Sequence, residues 1–528
     1  MLRSGRVDLR PQNLLGNPWF WFFALLIVTT VRFAVAASHP LFETECYYWM
    51  YSQNLGFGYF DHPPMLGFFL HFFNFWDPPS SLAARLHCIV SHFFCSIFLY
   101  YYGRNLFDSA KAGIGAALLF NIIPIYSILA IQNQPDAPLM FFWCATLLCF
   151  ERSVSTGKPL WWILAGFMAG GALLSKFHAV PLVGSLFLHL LFFGKDRKHL
   201  ATPWPYIGFA IALSCYLPNF IWNAQNGWIT YEFQFDRLAE AGEFKPVHLL
   251  GVFLAPLLLL SPWVYGLVAV VATRIAKQFR EGLSRGMALS FWSSVPLFLF
   301  FVYVSFSDSV KIHWTAPAFI GLLPAVAVTL QQWSGRRRFM FCSSAMVMTL
   351  LIYGYLVFPF LVSQSLPNSW LPPTLKAEFD EHLDKDWTSQ NYGFDRLGKF
   401  LKEQLDAGGE GDFDLIASWR FDRVATAAFY AGEPDRAFVP AFGDRRGYTL
   451  WESPYIRSGA NALYVSRSRK SESRTEREFE DLRDCFNQIG DPIVVEAPFE
   501  GHPFREFEVY PCYGLRKDVL IRLAKRDF

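Results

Sequence analysis

The sequence predicts a polytopic α-helical membrane protein that ends in a soluble α/β domain, and three observations lead there. Of 528 residues, 53% are hydrophobic and 56 are phenylalanine, and membrane-length apolar runs recur from Trp19 to about Val362. From about Ser363 those runs stop, and the chain becomes charged and glycine-containing. Lysine and arginine alternate between the apolar runs in a way that gives the bundle two distinct sides.

A span needs roughly 20 mostly apolar residues to cross a core about 30 Å thick, and the chain offers about eleven candidates. They lie near 19–38, 82–102, 112–131, 137–150, 160–175, 177–193, 204–222, 247–273, 287–306, 314–330 and 339–362. The segments 137–150, 160–175 and 177–193 are short for a crossing and suit broken or re-entrant helices, whose backbone groups protein or water must satisfy. The first run has no small-residue cleavage site and is read as a retained span.

Loops that keep Lys and Arg stay in the cytoplasm. Arg3, Arg6 and Arg10 open the basic set; Arg104 and Lys111, Arg152 and Lys158, then Lys195, Arg197 and Lys198 continue it. Arg274, Lys277, Arg280 and Arg285 follow, and Arg336, Arg337 and Arg338 close it. The opposite loops carry Glu43, Glu45, Asp61, Asp136, Lys176, Glu232, Asp308 and Lys311. The expected topology therefore has a cytoplasmic N-terminus and a periplasmic C-terminal domain. Residues 1–362 form the membrane part with a first outer loop at 39–81, and 363–528 form the outer domain.

In that outer domain, apolar patches at Phe413–Ser418, Ala437–Ala441, Ala462–Val465 and Ile493–Val495 read as strands. They alternate with helical segments at Asp395–Leu405, Arg423–Tyr430 and Arg474–Cys485, the pattern of a small α/β layer. Ser466–Glu478 reads as a solvated helix or loop.

Six of the nine cysteines lie in apolar spans, where the residue serves as a small packing group. Cys485 and Cys512 both fall in the outer domain, where a disulfide survives if the geometry allows one. No CxxC or HExxH occurs, so no cysteine- or histidine-based metal site is indicated. The net charge of +2 points away from nucleic acid.

Unusual polar motifs collect on the outer side. Glu43–Pro64 reads ETECYYWMYSQNLGFGYFDHPP, with Glu43, Glu45 and Asp61 among Tyr47, Tyr48, Trp49, Tyr59 and Phe60. Carboxylates there activate a hydroxyl and aromatic rings stack on a sugar or lipid, or else the charges are solvated and Asp61-His62-Pro63-Pro64 is a turn. Asp136, in NQPDAP, caps a helix at its dipole end, binds a ligand, or does both. Lys176, in LLSKFH, interrupts two apolar runs; it is a functional group at depth or a side chain that snorkels to the surface. Lys311, His313 and Trp314 mark the mouth of another span, as a headgroup site or an interfacial anchor. Asn223 sits where a helix ends at Asn226-Gly227, with its amide available to a sugar hydroxyl or to the turn itself.

The runs ECYYWMYSQNLGFGYFDHPPM, QPDAPLMFFW, LLSKFHAV, LPNFIWNAQNGWITYEFQ and VKIHWTAPAF occur in the order and spacing of a known family. The chain resembles the bacterial relatives of protein O-mannosyltransferases, glycosyltransferase family 83, which include the lipid A aminoarabinose transferase and rhizobial lipopolysaccharide galacturonosyl transferases. The outer segment ASWRFDRVATAAFYAGEP shares the resemblance. It implies a C-type glycosyltransferase fold, a bacterial inner-membrane location, a polyprenyl-phosphate sugar donor, and inversion at the anomeric carbon. It implies no required cofactor and leaves a divalent metal open. By the same resemblance the first loop holds the catalytic acid or base. Glu45 matches the second acid of the family pair, Thr44 stands at the aspartate position, and Glu43 adds a carboxylate beside it.

The mechanism expected from these parts has Glu43 or Glu45, with Asp61 near, accepting the proton of an acceptor hydroxyl as it attacks the anomeric carbon. Asp136, Lys176, Lys311, His313 and Trp314, with His62, Tyr59 and Asn223, bind the donor, whose lipid phosphate leaves. The expected acceptor is lipid A, lipopolysaccharide or another envelope glycan. The rival readings are a protein acceptor and, in another class, a lipid or sugar flippase, against which the lack of repeated halves argues.

Overall fold

The computed structural model describes residues 18–73, 79–239, 246–306, 310–357, 392–407, 412–451, 453–466, 472–499 and 502–525. The expected domain boundary near residue 362, the N-terminal arginines and Asp308 lie outside them. The chain divides into two compact units. One takes in Met1–Ala36, His62–Leu66 and Arg85–Gly354; the other takes in Ala37–Asp61, Gly67–Ala84 and Tyr355–Phe528.

The helices are α1 Pro18–Ser38, α2 Glu43–Gln53, α3 Met65–Phe73, α4 Ser81–Phe107, α5 Ala110–Ile122, α6 Pro124–Leu129, α7 Asp136–Thr156, α8 Pro159–Leu173, α9 Ala179–Phe192 and α10 Trp204–Gln225. They continue with α11 Ile229–Ala239, α12 Pro246–Leu259, α13 Pro262–Glu281, α14 Arg285–Trp292, α15 Val295–Val304, α16 Ala316–Ile320, α17 Leu323–Gln331 and α18 Gly335–Val357. Eleven crossings are not confirmed. Six described helices are long and apolar enough to span, and up to eight if each bent pair is one span. The segments α5, α8 and α9 are apolar but shorter.

The breaks have local causes. The pair α12 and α13 bends by 114° at Ser261, whose φ of 72° puts it in the left-handed region and whose hydroxyl accepts the Val264 N–H at 3.4 Å. Pro262 then starts a new helix without needing a donor. The pair α16 and α17 bends by 61°.

Close packing in the first unit follows from small residues. Gly166 and Gly170, one helical turn apart on α8, let α10 approach at backbone distance. A Cβ at Gly208 would fall 2.7 Å from the Trp162 carbonyl oxygen, and one at Gly170 2.5 Å from Cys215 Cβ. Gly208→Val is expected to cost about 1–3 kcal/mol by overpacking, seen as a lowered melting temperature in detergent; an unchanged midpoint would show that the helices do not meet there.

Several polar side chains inside the bundle are tied to one another, as a low-dielectric interior favours. Arg32 Nη1 donates to Asn121 Oδ1 at 2.8 Å, and Asn121 Nδ2 donates to Ser96 Oγ at 2.8 Å. Buried Asp196 accepts from Arg285 Nη2 at 2.6 Å and meets His189 Nε2 at 3.0 Å, which ties the short α9 to α14.

In the second unit, α19 Phe394–Asp406, α20 Phe421–Ala431, α21 Glu472–Cys485 and α22 Lys517–Lys525 accompany six strands. These are β1 Leu415–Ala417, β2 Ala437–Phe438, β3 Ala462–Val465, β4 Phe486–Ile489, β5 Ile493–Phe499 and β6 His502–Leu515. The order is β2-β1-β3-β6-β4, with β5 also on β6; β1 runs parallel to β2 and β3, and β6 runs antiparallel to its partners. The expected α/β layer is therefore present. Cys485 and Cys512 are buried free thiols in its core, and burial, with Cys485 beside it, pushes Cys512 up to about 12.

The first outer loop, apart from His62–Leu66, belongs to this second unit. Its helix α2 packs on α20 through Trp49 against Phe429 at 4.9 Å and Tyr47 against Phe421 at 4.5 Å, both edge to face. The Leu41 N–H donates to the Tyr430 hydroxyl at 3.0 Å.

Candidate active site

The acidic loop folds as a helix because its own residues cap it. Glu45, at the third helical position, accepts the Phe42 N–H at 3.0 Å, and Glu43 and Glu45 both sit where the helix dipole favours negative charge. Glu45 is fully buried. Glu43 is partly exposed, at 20%, and pairs with Arg423 Nη2 at 3.4 Å. Thr44 is exposed.

Asp61, 3% exposed, is the hub of a second set of contacts. It accepts from the Tyr47 hydroxyl at 3.3 Å, from the Tyr51 hydroxyl, and from Arg446 Nη1 at 3.5 Å. The Gly447 N–H donates to the Tyr47 oxygen at 3.2 Å, so the loop after β2 is held by the same carboxylate. Arg446 has a φ of 40°, uncommon for a long side chain, and its guanidinium lies 4.0 Å over the Phe421 ring. Burial opposes the Arg446 charge, yet Asp61 and Asp444 raise its proton affinity above the usual arginine value. Burial, then the Asp61 charge, hold the Tyr47 and Tyr51 hydroxyls well above ordinary phenols, so both stay donors. Tyr59 stacks on Tyr51 at 3.8 Å and donates to the Tyr51 carbonyl at 2.9 Å, closing the loop on itself.

In the other unit, Asp136 opens α7 and Lys176 follows α8. Lys176 Nζ donates to Asp136 Oδ2 at 2.8 Å with the two side chains 5% and 2% exposed, so Lys176 does not reach the surface. The second oxygen, Asp136 Oδ1, is buried without a hydrogen-bond partner, as are both ring nitrogens of His178. His313 and His178 lie within electrostatic reach of Asp136 and Lys176, and His62 within reach of both imidazoles. Lys311 is exposed and within reach of His313; the Trp314 ring stands edge-on to His178 at 5.7 Å. The arrangement is a largely desolvated cluster of mixed charge and imidazole groups.

Of the residues expected from sequence, Asp136, Lys176, His313, Trp314, Lys311 and His62 are thus brought into one cluster. In the other unit Glu43 and Glu45 sit in the first turn of α2, and Asp61 and Tyr59 meet the same helix through Tyr51. Asn223 is bound within its own turn, where its amide donates to the Asn219 carbonyl at 3.1 Å and accepts the Thr230 N–H at 3.3 Å. Arg423, Arg446, Asp422, Tyr51 and His178 escaped the sequence reading. The run WRFDR, with three charges among large rings, was the signal for the first and third of these. Among the described residues no three His, Cys, Asp or Glu side chains are grouped to hold a metal ion, so the donor set does not fit one and no step is assigned to it.

Residues 61–222 match the family described as dolichyl-phosphate-mannose-protein mannosyltransferase. Over 354 residues the chain is 22% identical to the lipid A galacturonosyltransferase RgtD of Rhizobium johnstonii, covering 65% of this chain and 70% of that one. Two structures of ArnT from Cupriavidus metallidurans superpose on almost the whole chain. The apo form gives a TM-score of 0.57 at 15% identity, over 93% of this chain and 97% of that one. The form bound to undecaprenyl phosphate gives 0.59 at 15% identity, over 94% and 98%. Fold and motifs together define an integral-membrane glycosyltransferase with the C-type architecture. Residues 61–222 carry the match to that family, almost the whole chain shares the ArnT fold, and six to eight described helical segments are long and apolar enough to cross a membrane.

Proposed function

We propose that the enzyme moves a sugar from a polyprenyl-phosphate donor to lipid A or another lipopolysaccharide acceptor on the periplasmic face, with inversion at the anomeric carbon. The observation that carries this reading is the buried Lys176–Asp136 pair with an unpartnered carboxylate oxygen and two unpartnered imidazole nitrogens beside it. Buried polar atoms left unpaired cost free energy unless a ligand completes them. A lipid phosphate supplies acceptors for Lys176 and the imidazoles, and sugar hydroxyls supply donors for Asp136 Oδ1. The names of the relatives, one acting on lipid A and one bound to undecaprenyl phosphate, agree with donor and acceptor.

In this mechanism Glu43, the partly exposed acid of α2, accepts the acceptor's proton as its oxygen attacks the anomeric carbon. The bond from that carbon to the phosphate oxygen breaks, and the phosphate leaves with the bonding electron pair; within the membrane unit, Lys176, Lys311 and His313 are the groups suited to an anionic phosphate. Asp61 orients the loop through Tyr47, Tyr51 and Arg446. The outer loop and the C-terminal sheet face the periplasm, consistent with the placement of Lys and Arg on the opposite loops.

Mass spectrometry of lipid A and core oligosaccharide from wild-type and deletion strains tests the reading. The expected result is loss of one sugar mass on deletion, restored by the wild-type gene. Unchanged lipid A and core, with a missing glycan on envelope proteins, would replace the acceptor with a protein; no change in any envelope glycan would overturn the reading.

A further inference from the structure

Helices α1, α4 and α5 leave a groove of about 470 Å³ between them, and all its walls belong to the first unit. Apolar side chains cover most of it: Phe22, Leu25 and Val28 from α1, Ile97 from α4, and Ile114 and Leu118 from α5. Ser96 and Asn121 close one end. Ser96 Oγ accepts from Asn121 Nδ2 at 2.8 Å and donates to the His92 carbonyl at 3.0 Å, and Asn121 Oδ1 accepts from Arg32 Nη1 at 2.8 Å. These two side chains are satisfied within the bundle, so that end suits the tip of a hydrocarbon chain.

The other end is cationic. Arg104 lines it together with Tyr100 and Tyr101, which lie one turn back on the same face of α4. Lys111 follows across a short turn, in the first turn of α5, and both cations are exposed. Gly113 holds the two helices together there, since a Cβ at that position would fall 2.3 Å from the Tyr100 carbonyl oxygen. Among the described residues neither cation has an ion-pair partner, and Asp108, in the turn between them, pairs with neither. Ser96 to Arg104 is about 12 Å of α4 at ~1.5 Å per residue, close to half of a hydrocarbon core about 30 Å thick. An occupant that fits therefore has a tail confined to one leaflet and a negative headgroup beside the basic turn. Helix α1 is the least buried of the six long spans, with 17% of its apolar window covered by protein, so a lipid in the groove supplies contacts that the bundle does not.

We propose that this groove is a binding site for an anionic phospholipid of the leaflet beside the basic loops, with an acyl chain between α1, α4 and α5 and the phosphate headgroup on Arg104 and Lys111. Each cation near an anionic headgroup favours it roughly fivefold, and Asp108 offsets part of the gain. A zwitterionic headgroup carries its own cation, which Arg104 and Lys111 repel. Tyr100 and Tyr101 suit the interface, with rings in hydrocarbon and hydroxyls toward ester or phosphate oxygens. The groove shares no residue with the Asp136–Lys176 cluster, and the lipid binds whether or not the protein transfers a sugar.

Native mass spectrometry of the full-length protein, released from nanodiscs of phosphatidylglycerol and phosphatidylcholine with matched chains, tests the site. The wild type is expected to retain phosphatidylglycerol with a preference of about tenfold. Arg104→Gln/Lys111→Gln changes exposed side chains only and is expected to bring that preference close to one. Ala117→Phe and Ala24→Phe each add a ring to a groove wall, from α5 and from α1, and are expected to release the lipid with both cations in place. Melting curves in phosphatidylcholine alone identify which of the two filled variants keeps the fold, and retention is read in that one. Equal retention of the two lipids by the wild type, or an unchanged preference in the double variant, overturns the proposal. Retention that survives a folded, filled groove places the lipid elsewhere and overturns it too. Displacement of phosphatidylglycerol by undecaprenyl phosphate would give the groove to the donor's chain, which refutes the site as proposed and leaves the transfer reading standing.

Discussion

Glu43→Gln is expected to lower transfer by on the order of a thousandfold while the protein inserts and folds as before. A positioned general base contributes about 10²–10⁴ to rate, and glutamine keeps an acceptor for Arg423 but no proton affinity. Glu45 gives the contrast. Its carboxylate accepts the Phe42 N–H at 3.0 Å and is fully buried. Glu45→Gln keeps an acceptor for that N–H and is expected to stay within about tenfold of wild type. Glu45→Ala loses the cap and about 1–2 kcal/mol of stability, visible as a lowered melting temperature. Turnover of each variant with matched thermal melts separates the roles. Wild-type turnover in Glu43→Gln together with an inactive, well-folded Glu45→Gln would reverse the assignment.

Lys176→Met carries the other large effect. The pair with Asp136 is buried on both sides, at 5% and 2% exposure, and removing one partner of such a pair costs about 3–5 kcal/mol because the remaining charge is stranded. The variant is expected to melt earlier and to bind undecaprenyl phosphate at least about a hundredfold more weakly, through loss of a charge-assisted contact in a desolvated site. The double variant Lys176→Met/Asp136→Asn distinguishes stability from function. It removes both charges, so the melting temperature recovers, but phosphate binding does not. Recovery of both, or loss of neither in the single variant, would make the pair a structural brace only.

The membrane class was legible because a span is written in contiguous residues: about 20 apolar side chains in a row have one low-energy environment. Breaks were harder. The bend at Ser261-Pro262 is a local feature whose 114° depends on how two half-helices pack, and the run 247–273 looked continuous. In the outer domain the short strands β1 and β3 were readable as apolar patches, but their parallel pairing was not, since register between distant strands leaves no mark in either.

The sequence by itself determined that the acids of Glu43–Asp61 lie beside aromatic rings and that Lys176 interrupts an apolar stretch. Both are statements about neighbours in the chain. Tertiary structure alone decided what each charge touches. Glu45 accepts the Phe42 N–H at the start of α2, Asp61 meets two tyrosines and Arg446, and Lys176 pairs with Asp136, 40 residues away. Glu43 meets Arg423 across 380 residues. A carboxylate has the same intrinsic affinity for a proton wherever it stands in the sequence; its burial and the charges around it are set by which distant elements pack against it, and those arise only when the chain has folded.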